Sequence, residues 1–422
     1  MPVSENPVKD YDIVIVGGGL VGASLAVALA GSPYRVAVIE AFSFDSEAQP
    51  SYDERTIALT YSARHIFTQL GAWDEELAEE ACALNSIHIS NRGHFGKTRL
   101  DHHDAGTEAL GYVVPTRALG NALNKKLLGI DNIDFYCPYD AQSVDVQEHT
   151  ARVSIVGGDT EQVKQLGCQL LVLADGGRSP LLNALGFVRE SRNYPQSALL
   201  SIVKTSLPHR HRAYERFAED GPLALLPLHD QRFAVVWTLA PGDLQRISSL
   251  SDEAYIEQLQ EVFGTHAGLF SEPTPRKSYA LSKGMLQTPC RHRVVALGNA
   301  AHTVHPVAGQ GFNLGLRDVA ELAENLLLST PQDTDIGSNA FLQAYAKRRE
   351  RDTRRVGQFT DGLLTLFTHR SPLIQLGRNL GLAAVENLPF AKRALLKRSM
   401  GMGRNQPRLA RGLSIPERSR DD

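Results

Sequence analysis

The 422-residue sequence predicts an α/β fold, α+β overall. It has a Rossmann-like unit at the N-terminus, a strand-rich middle and a helical C-terminal part. Three observations predict this. Tyr11 to Val16 (YDIVIV) is a β-branched run that enters the glycine turn GGGLVG and then the helix-forming LVGASLAVALA. Residues 197–205, 222–228 and 232–239 read as strands, with Gly221-Pro222 and His229-Asp230 as turns. After Asp318 the chain reads as helical to about residue 400. No internal repeat occurs.

The length predicts at least two lobes. Hydrophobic residues make up 42%, enough for a real core. A net charge of −3 gives no bulk attraction to nucleic acid. Cys82, Cys137, Cys168 and Cys290 stand far apart, without metal-ligand spacing. They are expected to be reduced thiols, with no disulfide frame and no metal. The start, MPVSENPVKD, lacks a basic end and an apolar run, and no apolar stretch reaches the length of a membrane span. A cytoplasmic protein, attached at most to a membrane surface, is expected.

The N-terminal turn has the spacing of a dinucleotide site. G-x-G-x-x-G falls on Gly17, Gly19 and Gly22. Gly17 allows the tight turn, Gly19 lets a pyrophosphate approach, and Gly22 lets helix and strand pack closely. The helix N-terminus then offers N–H groups and a positive dipole end to phosphate. A second strand, residues 35–39, ends at Glu40, 18 positions after Gly22 and near the spacing for a ribose-binding carboxylate. This unit by itself fits FAD or NAD equally. The acid disfavours a 2′-phosphate.

Two later segments repeat the strand-then-glycine pattern. LLVLA (170–174) stops at Asp175-Gly176. RVVALGNAAHTVHPVAGQGFNLGLRD (293–318) carries Gly298, Asn299, Pro306, Gly309, Gly311 and Asn313 before a helix. With the three motifs in this order, the chain resembles the single-component flavin hydroxylases related to para-hydroxybenzoate hydroxylase, from about Tyr11 to Asp361. Within them, DERTIALT (53–60), SIHISNRGHFG (86–96), RFAEDGPLALLPL (216–228) and AGQGFNLGLRDVAELAE (308–324) resemble the ubiquinone-pathway hydroxylases. Asn299, where most of the family has aspartate, together with His305-Pro306 and Phe312, looks like the branch that acts on 2-polyprenyl-6-methoxyphenol. Leu182 departs from the family, where many members carry an arginine.

The resemblance implies a Rossmann-like FAD-binding domain with an inserted antiparallel-sheet substrate domain and a helical C-terminus. FAD-binding parts are expected at 10–80, 111–183 and 289–335, substrate parts at 81–110 and 184–288, helices at 336–405, and a disordered tail at 406–422. It implies non-covalent FAD. Gly17, Gly19, Gly22 and Glu40 would hold its ADP half, and Arg55 and Arg117 would lie along the pyrophosphate and ribityl chain. Asp175 would cap the pyrophosphate and Asn299 would meet the ribityl chain. The backbone at Gly309, Gln310, Gly311, Phe312 and Asn313 would cradle the ring edge, with Pro306 near its reactive face. For Arg55 and Arg117 a surface salt bridge is the alternative.

The implied chemistry is hydroxylation of a phenol through a flavin C4a-hydroperoxide, with NAD(P)H as transient reductant and O2 as co-substrate. No second G-x-G-x-x-G occurs to hold the nicotinamide. No catalytic acid or base stands out. His302 and His305 are candidates for a proton relay, or structural loop histidines. Phe217, Leu226, Pro227 and Trp237 are candidates for the ring pocket, or core. Residues 376–422 hold ten Lys/Arg and four acids, a charge of +6, interleaved with Leu and Phe. This segment would dock on an anionic membrane, or form a solvated tail. Other ubiquinone-pathway enzymes are the expected partners. A halogenase is discounted because Trp73 and Trp237 form no W-x-W-x-I-P segment. A hydroxylase of another phenol or ring position, and a non-catalytic isoprenoid-binding escort, stay open as alternatives.

Overall fold

The computed structural model describes residues 8–43, 55–94, 96–158, 162–218, 221–305, 309–329, 334–368, 371–403 and 405–416. Two large sheets organise them. The first has eight strands, in the order Cys290–Arg291, Val294–Ala296, Gln162–Leu173, Lys9–Val16, Val36–Ile39 and Ile133–Tyr136, with Ala151–Gly157 and Tyr139–Val146 branching from Gln162–Leu173. Its centre is parallel: Lys9–Val16 lies between Gln162–Leu173 and Val36–Ile39. Parallel strands are covered on both faces, which explains their unbroken apolar runs. One face packs on the helices Leu20–Ala28, Thr116–Leu127 and Gln310–Leu327; the other carries Val14, Ile39, Leu171 and Phe187.

The second sheet has nine strands, in the order His302–Thr303, Lys277–Leu286, Arg189–Thr205, Arg232–Leu239, Gly221–Leu228, Arg212–Ala218, Ser86–Asn91 and Lys97–Asp101, with Phe270–Ser271 beside Arg189–Thr205. It is antiparallel except where Arg212–Ala218 meets Ser86–Asn91. One face buries Leu199, Phe233, Trp237 and Leu225 against the helix Asp252–Phe263. Ser251 starts that helix by accepting the Ala254 N–H at 3.3 Å. The other face looks toward the first sheet. Asp230 and Gln231, with φ of 59° and 55°, make the hairpin turn expected at His229-Asp230. Gly221 and Pro222 are different: they open the strand Gly221–Leu228 and form no turn.

The C-terminal part is helical at Asn339–Thr368, Pro372–Asn387 and Pro389–Ser399. The expected disordered tail is corrected over residues 406–416. Leu409–Arg411 forms a 3-10 turn, and Leu409 and Ala410 are buried in the same core as Ile66 and Phe67. The Arg408 N–H donates to Glu324 Oε2 at 2.7 Å. Two apolar residues that fit a core groove outweigh the polar composition around them. Residues 417–422 lie outside the described residues.

Candidate active site

A cavity of about 1050 Å³ separates the carboxyl ends of the parallel strands from the second sheet. This is where open α/β sheets bind ligands. Its first end is the N-terminal turn. Gly17 has φ +103°, and a Cβ there would lie 2.7 Å from the Ala174 carbonyl carbon and oxygen. At Gly22 a Cβ would lie 1.9 Å from the Gly17 oxygen, so strand turn and helix touch as the sequence implies. Gly19 caps the helix Leu20–Ala28 without any side-chain cap, leaving the first-turn N–H groups for a ligand. Glu40 follows Val36–Ile39 and is buried. Its Oε2 accepts the Gly18 N–H at 2.7 Å and its Oε1 accepts the Phe42 N–H at 3.0 Å. Carboxylate oxygens have further lone pairs, so ribose hydroxyls can still be accepted.

The opposite wall repeats this chemistry. Gly309, in the left-handed region at φ +59°, begins the helix Gln310–Leu327, again without a side-chain cap. Gly309, Gln310, Gly311 and Phe312 line the cavity. Two helix N-termini therefore face one space, matching a ligand with phosphates at one end and an electron-rich ring at the other. Asp175 lines the cavity, but its carboxylate accepts the Gly177 and Ser179 N–H groups, both at 2.9 Å, and so shapes its own turn. Asn299 is exposed to the cavity. Its backbone oxygen is held by the Arg189 guanidinium at 3.2 Å, which also donates to Thr303 Oγ1 at 2.7 Å. Arg55 lines the cavity, with its guanidinium 5.2 Å from the Tyr279 ring centroid.

Several expected residues lie elsewhere. Arg117 does not line the cavity. It pairs with Glu80 at 3.2 Å with its side chain 51% exposed, which is the surface salt bridge. The Asn313 side chain is turned away: its oxygen accepts the Thr60 N–H at 2.8 Å and its nitrogen donates to Ala58 O at 2.8 Å. It ties the Thr56–Thr60 strand to the helix. His302 is not at the cavity either; its Nε2 sits 2.6 Å from Asp318 Oδ2. His305 is buried against Tyr194, ring centroids 5.0 Å apart, and burial pushes its imidazole down to about 4. Neither imidazole lines the cavity. Pro306 lies outside the described residues.

Strand alternation sorts the four ring-pocket candidates. Leu226 lines the cavity, as do Pro222 and Ala224 on the same strand, while Leu223 and Leu225 enter the core behind. Phe217 also lines the cavity. Trp237 points the other way, fully buried, with its ring centroid 6.5 Å from that of Tyr255. Pro227 has the parity of Leu225 and is not in the lining. Sequence reasoning did not find the group that braces the loop. Asp318 accepts the Gly298 N–H at 3.0 Å, His302 Nε2 at 2.6 Å and Arg349 Nε at 2.7 Å. Burial pushes the Asp318 carboxyl up, but His302 and Arg349 together hold it down at about 2. The signal was a polar pair, Arg317-Asp318, inside an apolar helix.

The comparisons with known proteins add to this geometry. Residues 10–360 match the FAD binding domain family. The chain belongs to this family. Ubiquinone hydroxylase UbiL of Rhodospirillum rubrum is 33% identical over 420 residues, covering 98% of this chain and 96% of that protein. The 3-demethoxyubiquinol 3-hydroxylase of Escherichia coli is 27% identical, covering 93% and 98%. The crystal structure of p-nitrophenol 4-monooxygenase PnpA from Pseudomonas putida superposes with a TM-score of 0.76 at 18% identity, covering 94% of this chain and all of that one. The protein is an FAD-dependent aromatic hydroxylase of the ubiquinone hydroxylase group, with the para-hydroxybenzoate hydroxylase type of fold. The cavity fits FAD. Gly17 and Gly22 leave no room for a Cβ, and both uncapped helix ends and Glu40 face the same space.

Proposed function

We propose that this protein hydroxylates the ring of a polyprenylated phenol in ubiquinone biosynthesis, using NAD(P)H and O2. The substrate proposed is 2-polyprenyl-6-methoxyphenol, converted to the 1,4-benzoquinol. The observation that carries this reading is the far end of the cavity. Apart from its FAD end, the lining includes Leu100 from the second sheet and Phe359, Leu363, Leu382 and Leu395 from the C-terminal helices. A small hydrophilic benzoate has no use for such a wall. An isoprenoid tail does, because each buried CH₂ is worth roughly 0.8 kcal/mol.

The residues have separate tasks. Gly17, Gly19 and the Leu20–Ala28 helix end hold the pyrophosphate, Glu40 takes the ribose, and Asn299 meets the ribityl chain. Arg55, beside Tyr279, would lie along the pyrophosphate and ribityl chain. Gly309 to Phe312 cradle the ring edge. Bound FAD supplies the chemistry, taking electrons from the nicotinamide and activating O2 toward the phenol. Phe217, Leu226 and their neighbours hold the substrate ring in place and exclude water. The C-terminal helices would bring this end of the cavity to an anionic membrane, where such a substrate partitions.

Anaerobic reduction of the bound flavin, with and without candidate phenols, tests the reading. A prenylated methoxyphenol should speed reduction and couple O2 use to product better than para-hydroxybenzoate does. Preference for the benzoate would remove the ubiquinone assignment and leave an aromatic hydroxylase.

A further inference from the structure

Among the described residues, Glu215 is the acidic side chain in the apolar half of the cavity. It lies on the strand Arg212–Ala218 between Ala213 and Phe217, and all three line the cavity. Its cross-strand partners are Ala224 on one side and Ile89 on the other. Pro222, Leu226, Ile87 and Asn91 are its diagonal neighbours along those strands. The side chain is half-buried, with the cavity as its open side. An ionisable group is costly in such a place unless something polar comes to meet it. An isoprenoid tail offers nothing polar. The ring of a phenol offers its hydroxyl.

We propose that Glu215 is a catalytic residue that receives the substrate phenol: its carboxylate accepts a hydrogen bond from the phenol O–H and takes that proton as the ring is attacked. The proposal rests on the phenol hydroxylase reading above. The phenol O–H bond breaks, an O–H bond forms on Glu215, and the electron pair left on oxygen makes the ring a better nucleophile. The proton returns to water through the cavity after turnover. Geometry comes first: the carboxyl lines the cavity beside Ala213, Phe217 and Ala224, within reach of a ring held there.

The surroundings leave the role to Glu215. The flanking strands present Ile87, Ile89, Pro222, Ala224 and Leu226 on its face, and beyond Ile89 the buried amide of Asn91, whose oxygen accepts from the Arg378 guanidinium. Among the groups on the covering helices, Arg378 donates to Leu366 O at 3.3 Å, and Glu386 accepts from Thr98 Oγ1 at 3.0 Å. Of the other charged groups of the cavity, Glu40, Arg55, Asp140, Asp175 and Arg178 belong to its FAD end. Lys277 sits on the strand Lys277–Leu286, with three strands of the sheet between it and Arg212–Ala218. Burial alone pushes the Glu215 carboxyl up to about 7, which suits a base working near neutral pH.

The test uses the full-length, FAD-loaded protein with a short-chain prenylated methoxyphenol, from pH 5.5 to 9. Binding is read from the change in the flavin absorbance spectrum, and turnover from the hydroxylated product. For the parent, both phenol affinity and rate should rise through an inflection near pH 7. Glu215→Gln keeps size and an acceptor but cannot take a proton. It should lower the rate roughly 100-fold and erase the inflection in binding as well. The methyl ether of the same phenol should bind parent and variant alike. Glu215→Gln should also unfold at the same or a higher temperature at pH 8, because it removes a carboxylate that burial disfavours. A variant that keeps the rate and the inflection overturns the proposal, as does one that loses activity only by losing stability. Failure of the parent to respond to any phenol, with FAD bound, would remove the underlying reading and this proposal with it.

Discussion

Arg349 Nε donates to Asp318 Oδ1 at 2.7 Å, with the two side chains only 4% and 3% exposed, and this pair anchors the loop that faces the cofactor. The other Asp318 oxygen holds the Gly298 N–H and His302. One residue on the Asn339–Thr368 helix thereby fixes a turn that lines the cavity. Arg349→Met is predicted to cost about 3–5 kcal/mol, because it leaves a buried carboxylate short of a partner. FAD affinity should fall with it. Denaturant unfolding and cofactor titration measure both. The pH dependence has a definite sign. The Asp318 carboxyl lies below its unfolded value of 3.8, so its contribution is present above pH 4 and lost as pH falls toward 2. A variant as stable as the parent at pH 7 would show that the pair only offsets its own desolvation.

Gly22 and Gly242 make a matched comparison. A Cβ on Gly22 would meet backbone at 1.9 Å, whereas on Gly242 it would meet nothing within 4 Å. Gly22→Ala is predicted to strip FAD or prevent folding, and Gly242→Ala to leave both unchanged. Gly19→Val should strip FAD from a folded protein, because its side chain would occupy the space of the pyrophosphate. Flavin absorbance of the purified variants decides. Full FAD occupancy in Gly19→Val would move the phosphate site elsewhere.

Asn299 is held by its backbone, not its side chain. Arg189 fixes the Asn299 and Ala300 oxygens, so the amide is presented to the cavity without having to position the loop. Asn299→Asp is predicted to keep FAD, since aspartate retains an acceptor of the same size. Asn299→Leu should weaken FAD binding five- to tenfold, roughly the worth of one hydrogen bond at about 1 kcal/mol. Equal affinity for FAD in the leucine variant would remove the ribityl contact.

The sequence made the N-terminal unit legible because each residue there meets a local demand. Gly17 needs a positive φ, Gly22 needs the space of a missing Cβ, and Glu40 ends a strand. Strand alternation was legible too, but its sign was not. Leu226 and Trp237 look equally suited to a ring pocket, and only the cross-strand register puts one toward the cavity and the other toward the Asp252–Phe263 helix. Arg349 lies 31 positions from Asp318, and Glu215 becomes unusual only when Ile89, 126 positions earlier, is paired beside it. Such long-range pairings leave no spacing to read.

The C-terminal segment tests another expectation, that a basic, Pro-containing end is a disordered tail. Leu409 is 4% exposed in the main core, against the Tyr61–Gln69 helix. Leu409→Ala is predicted to destabilise the protein by about 2–5 kcal/mol. Leu413→Ala, at 39% exposure, should change stability little. Thermal unfolding of the two variants side by side checks this. Equal unfolding temperatures would return the segment to the solvated tail.

Membrane docking calls for point changes, not truncation. Cutting after residue 375 would remove Leu396 and Met400, which are buried, and Leu382 and Leu395, which line the cavity. The surface of the same helices is different. Leu376, Leu380 and Leu388 are exposed, and Phe390 is 74% exposed. Arg393, Lys397 and Arg398 are exposed on the helix Pro389–Ser399. Apolar groups beside basic ones suit an anionic bilayer surface, where each Lys or Arg contributes about 1 kcal/mol and each buried apolar side chain adds to it. No helix among the described residues is long and apolar enough to cross a membrane. Phe390→Glu with Leu380→Glu is predicted to reduce binding to anionic liposomes at least tenfold while FAD occupancy and unfolding temperature stay unchanged. Raising salt should weaken the parent's binding in the same assay, since exposed charges are screened beyond about 10 Å at 0.1 M salt. The double variant should also lose turnover with a long-tailed phenol presented in liposomes, but keep it with a short-tailed phenol in solution. Unchanged liposome binding by the double variant would take the docking role from these two helices.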